Sequence, residues 1–111
     1  MALTHSASGS ITSVLPLGTK LQTSLTHTIL KAPQLELMRI VLLVGKEMHE
    51  HKVPGEITVQ CIEGHVEFRA FEKVLMLAPG DLVHLPASEL HSLKAIEDSS
   101  VLLTLRLSNT R

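Results

Sequence analysis

From residue 21 onward the chain is a series of short apolar runs separated by turn residues. The runs fall at 25–30, 35–44, 57–62, 65–71, 74–77, 82–85, 91–96 and 101–107. Between them stand Lys31-Ala32-Pro33, Gly45, Val53-Pro54-Gly55, Glu63-Gly64, Pro79-Gly80-Asp81 and Glu97-Asp98-Ser99-Ser100. Most runs are of strand length, four to eight residues, and most are bounded by Gly, Pro or Asp. Such runs at this spacing predict an all-β sandwich or barrel. The run 35–44 is long enough, and rich enough in Leu, Met and Glu, to compete as a helix. It lacks an N-cap after Pro33, however, and turns to Val and Ile towards its end, and a lone helix would leave the short strands around it without a sheet partner. Residues 1–20, dominated by Ser, Thr and Gly, carry little periodicity and are expected to form an arm that is mobile or docks on a partner, leaving 21–111 as one domain.

The 111 residues suffice for one core and not for two. With 44% apolar and 19% charged residues and a net charge of −1, the composition is that of a globular protein. No Lys/Arg-rich run is present, and Phe68 and Phe71 are the only aromatic residues besides histidine. Nucleic-acid binding therefore lacks both its electrostatic footprint and its stacking platforms. No segment approaches the ~20 apolar residues that a membrane helix needs. The single cysteine, Cys61, cannot form an intrachain disulfide, and the first residues lack the cationic start and apolar stretch of a secretory signal, so a cytoplasmic location is expected. Cys61 shares strand parity with Ile57 and Val59, which predicts a small buried side chain rather than a nucleophile.

Candidate chemistry is concentrated in histidines. His49 and His51 stand two residues apart, so on a regular strand both imidazoles project from one face. His91 follows the Pro79-Gly80-Asp81 turn and a short apolar run, where folding of a sheet brings it opposite the pair. Three imidazoles suit iron, nickel, copper or zinc, and three protein donors leave positions open for water or substrate.

These residues resemble the small single-domain bacterial members of the RmlC-like cupin superfamily. The first cupin motif appears as Gly45, His49-Glu50-His51, Glu56 and Gly64, and the second as Gly80, Pro86, Ser88 and His91, with Ser88 in place of a glycine. With the strands around them, the two motifs cover most of 25–107. The resemblance implies a jelly-roll β-barrel in which His49, His51, His91 and a glutamate hold one divalent transition metal (Fe, Ni, Mn, Cu or Zn). The family carboxylate stands seven residues before the closing glycine, where this chain has Ile57. Glu56 lies one residue earlier and turns towards the cavity only if a bulge at Pro54-Gly55 restores the phase. Ile57, Val59, Cys61, Val83 and Leu85 are expected to line the cavity.

Cupins of this size include dioxygenases, isomerases and non-catalytic effector binders, so the fold leaves two readings open. One is a metal-dependent oxidoreductase or isomerase acting on a small oxygen-chelating molecule. The other is a non-enzymatic module that binds or senses a small ligand. The run 35–44, apolar on both faces, further implies a homodimer, because a strand with one face in water would alternate.

Overall fold

The computed structural model describes residues 5–107; the first four residues of the expected arm and the last four of the expected domain lie outside this range. Nine strands follow one 3-10 turn, Gly18–Thr23. They are β1 (His27–Lys31), β2 (Leu35–Leu42), β3 (Glu47–His51), β4 (Ile57–Glu63), β5 (Val66–Ala70), β6 (Lys73–Leu77), β7 (Leu82–Leu85), β8 (His91–Ala95) and β9 (Ser99–Arg106). The run 35–44 is thus a strand. Its apolar residues find hydrogen-bonded neighbours on both sides, β1 and β9, which an isolated helix would have left unpaired.

The strands form two antiparallel sheets, ordered β1-β2-β9-β4-β7 and β3-β8-β5-β6. This is the expected all-β jelly roll, built as two facing sheets rather than one closed ring of strands. Alternation assigns the faces. Ile40 and Leu42 of β2, Ile57, Val59 and Cys61 of β4, Leu85 of β7 and Val101 and Leu103 of β9 point inward from the five-stranded sheet. Val66, Phe68 and Ala70 of β5, Leu77 of β6 and Leu93 and Ala95 of β8 meet them from the other side. Phe68, wholly buried, pairs with Leu93 and Leu75 and is the largest side chain at full burial.

Turn chemistry closes the strands. Gly64, between β4 and β5, has φ +83, and a Cβ there would overlap the Ser99 hydroxyl and the Asp98 carbonyl. Only glycine meets both demands. The β5–β6 hairpin turns through Phe71 and Glu72, both with φ near +55 (54 and 58), the positive-φ pair of a two-residue turn whose twist matches the strands.

The N-terminal segment docks on its own chain, not away from it. The amide of Ser6 donates to the Ile29 carbonyl (2.7 Å), and Leu21 in the 3-10 turn is buried. Arg39, on the outer face of β2, is only 4% exposed beneath this segment. Its Nη2 donates to the Leu15 carbonyl (3.0 Å) and its Nη1 to the Ser100 hydroxyl (3.3 Å). Ser100 in turn donates to Glu63, whose carboxylate accepts from the amides of Leu17 (2.9 Å) and Gly18 (3.0 Å). Burial pushes the Glu63 carboxyl up, but Ser100, the two amides and the Arg39 charge outweigh it and hold the group below its ordinary range. A relay of Arg39, Ser100 and Glu63 therefore ties residues 15–18 to the five-stranded sheet.

Candidate ligand site

Strands β3 and β8 bring two of the predicted histidines together. His51 pairs with His91 across the ladder, and their ring centroids lie 4.3 Å apart. His91 is 3% exposed and stacks on Phe68 at 5.9 Å and 19°, while small Ala70 is its neighbour on β5 and leaves room for the ring. Each imidazole is oriented by the chain next to it. Nδ1 of His91 bonds the Glu89 carbonyl (3.0 Å) and Nδ1 of His51 bonds the His49 carbonyl (2.9 Å). A carbonyl oxygen only accepts, so both Nδ1 atoms carry the proton, and in a neutral ring Nε2 keeps a lone pair. Burial, with a smaller effect of His51, pulls the His91 pKa below its ordinary value against the Glu89 carbonyl, and so favours the neutral ring.

His49 does not join them. The β3–β8 pairs run Glu47 with Lys94, Met48 with Leu93, then His51 with His91, so three steps on β3 match two on β8. The extra residue is a bulge, and it breaks the parity that the i, i+2 spacing implies. Met48 and His51 face the interior, Met48 packs against the core, and His49 and Glu50 are exposed. Had the extra residue fallen before Met48, His49 would have paired with Leu93 and pointed inward. The register that is formed buries a thioether in the apolar interior and leaves the imidazole in water, which is the cheaper choice.

Glu56 is likewise turned away. It precedes the inward-facing Ile57 by one residue, Pro54-Gly55 does not restore the phase, and its carboxylate accepts from Nε2 of His84 at 2.7 Å, both side chains being more than half exposed. Ile57, Val59, Cys61 and Leu85 do face inward, but at 3% exposure or less they form packed core, with Val83 against it, rather than the walls of an open cavity. Burial foremost, with the charge of Asp81 next, raises the Cys61 thiol pKa, as suits an inert core residue. Ser88 adopts φ +66, which explains why the second motif has a glycine there.

Among the described residues no group of three or more His, Cys, Asp or Glu side chains is arranged to hold a metal ion. Two neighbouring imidazoles are a partial donor set, and this conformation does not fit the three- or four-donor centre that the resemblance implies. Sequence reasoning missed Arg39 and Glu63. The available signal was a single arginine inside the otherwise apolar run 38–44, which is tolerated only with buried partners.

No protein-family model matches the chain, and no curated protein matches it as a relative. Solved structures do. A conserved protein of unknown function from Streptococcus pyogenes aligns over 99% of this chain and all of its own, with a TM-score of 0.75 at 22% identity. An RmlC-like cupin from Desulfovibrio desulfuricans aligns over 87% of this chain and 96% of its own, with a TM-score of 0.74 at 20% identity. KdgF from Halomonas sp. aligns over 76% of this chain and 80% of its own, with a TM-score of 0.69 at 20% identity. The chain has the fold of the small RmlC-like cupins. Among the described residues no helix is long and apolar enough to cross a membrane.

Proposed function

We propose that this protein is a small-ligand-binding cupin module in which His51 and His91 are the polar anchor of an apolar interior. The observation that carries the reading is the pair itself: two neighbouring imidazoles, each held by a backbone carbonyl through Nδ1, each offering Nε2 as an acceptor. Because Ile57, Val59, Cys61 and Leu85 are packed core, a ligand reaches the pair from the half-buried side of His51 on β3, with apolar residues behind it. Two acceptors side by side suit a ligand that donates through hydroxyl or protonated groups. Among the described residues no carboxylate next to the pair is placed as a general acid or base, since Glu56 is engaged with His84 outside.

The second reading is a metal centre serving oxidation or isomerisation of an oxygen-chelating molecule. The Nδ1–carbonyl bonds favour it, because metal-binding histidines are commonly oriented in this way. It requires a third donor, and His49 supplies one only if the β3 bulge moves to the other side of Met48.

A single set of variants tests both. In a thermal-shift screen of hydroxylated small molecules, ligands that stabilise the wild type should lose their effect in His51→Ala and His91→Ala and keep it in His49→Ala. A hit unaffected by His51→Ala and His91→Ala would overturn the module reading. Elemental analysis that finds one metal per chain in the wild type, lost in His49→Ala, would replace it with the three-imidazole centre.

A further inference from the structure

Away from the His51/His91 pair, a hollow of about 900 Å³ opens between the N-terminal segment and β1 on the outer side of the five-stranded sheet. That volume lies within the range of small-molecule sites, about 300–1,000 Å³. Arg39, Ser6 and Ser13 are among the residues that line it. Arg39 as a whole is 4% exposed. Its partners, the Leu15 carbonyl and the Ser100 hydroxyl, are both uncharged, and they occupy two of its five donors. The ion pairs among the described residues are His65–Glu97, Arg69–Glu67 and His84–Glu56, so none of the described carboxylates lies within ion-pair distance of Arg39. Glu63 lends it a favourable charge from beyond ion-pair distance and is bridged to it by Ser100. A buried cation without a direct counter-ion is costly unless something supplies one.

The hydroxyls point to the sign of the missing partner. Ser6 accepts a hydrogen bond from Thr12 and Ser13 accepts one from the Leu15 amide (3.4 Å). Each therefore keeps its own O–H to give. The lining also carries the rings of His5 and His27, but the guanidinium and the two hydroxyl protons together make a donor face, and donor faces take oxyanions.

We propose that this hollow is a second ligand site, separate from the His51/His91 pair, that binds a small oxyanion, a carboxylate or a phosphate, through Arg39, Ser6 and Ser13. A resident anion would also fasten the N-terminal segment to the sheet, since Ser6 and Ser13 belong to one and Arg39 to the other.

Titration calorimetry and thermal shift at matched ionic strength test it, with inorganic phosphate, citrate and uncharged glucose as probes. Phosphate or citrate should bind and raise Tm while glucose does neither, and the stronger of the two identifies the ligand's anionic group. Arg39→Gln should weaken binding about tenfold or more, the loss of a charge-assisted hydrogen bond. Because Arg39→Gln also loosens the segment, Ser13→Trp, which fills the hollow from its exposed rim, serves as the second variant and should abolish binding with the fold intact. His91→Ala should bind as the wild type does, so failure of the pair leaves this site standing. Equal binding by wild type and Ser13→Trp, loss of binding in His91→Ala, or no response to either anion would each overturn the proposal.

Discussion

Replacing Glu63 by glutamine isolates the contact that holds the N-terminal segment to the sheet. The carboxylate accepts from Leu17 N at 2.9 Å, Gly18 N at 3.0 Å and the Ser100 hydroxyl, with Arg39 beyond it. Hydrogen bonds to a charged group contribute about 1.5–3 kcal/mol each, against about 0.5–1.5 for neutral ones. Glutamine keeps the shape and one acceptor oxygen but turns an NH2 towards these donors. With three bonds weakened by roughly 1 kcal/mol each, and a discount for partial exposure, Glu63→Gln should destabilise the fold by about 1–3 kcal/mol at pH 7. The folded pKa of Glu63 is lowered, so its contribution is fully present above the unfolded carboxylate range, near about pH 4, and is lost as pH falls through the folded value. Urea unfolding followed by far-UV circular dichroism is the suitable assay, because the chain has neither Trp nor Tyr. The wild type should lose stability on acidification while the variant changes less, and the two curves should converge at low pH. In parallel, trypsin should cut faster after exposed Lys20 in the variant. A gap of the same size at pH 7 and pH 3, or none at pH 7, would refute the relay of Arg39, Ser100 and Glu63.

Two further outcomes are expected. Gly64→Ala should cost about 2–4 kcal/mol, positive φ and overlap with Ser99 and Asp98 acting together, whereas Gly80→Ala, with φ +93 but open space around it, should cost only about 1–2; equal losses in denaturant melts would show that the close approach at Gly64 does not matter. We also propose that the chain is a homodimer, because Leu35 and Leu82 on the outer side of the five-stranded sheet and Ile11, Leu15 and Leu25 on the docked segment remain exposed. Light scattering should report the mass of two chains, and a monomer at micromolar concentration would contradict this.

Strand placement was legible in the residues because the signals are local. Gly64, Pro79-Gly80-Asp81 and the Glu97–Ser100 turn end strands by their own backbone preferences, and the alternation at Ile57, Val59 and Cys61 assigns a face without reference to any other part of the chain. The same alternation turns Glu56, one residue out of phase with Ile57, outward unless a bulge intervenes, and Pro54-Gly55 supplies none. The neighbourhood of His51 and His91 was also foreseeable from the resemblance, since the two motifs place them on strands that meet.

What folding alone decided lies between strands. Whether His49 or Met48 faces the interior depends on where β3 takes its extra residue against β8, and either position satisfies the local pattern of Glu47 to His51 equally well. Only the competition for burial next to Leu93 selects one. Arg39, Glu63 and Ser100 are 24 and 37 residues apart in sequence, and nothing local marks them as partners until β2, β9 and β4 lie side by side. That contact makes the arm, expected to be mobile or to dock on a partner, a covering for its own sheet. Short-range preferences determine which residues form strands, and pairing and burial across the sheets determine which side chains meet.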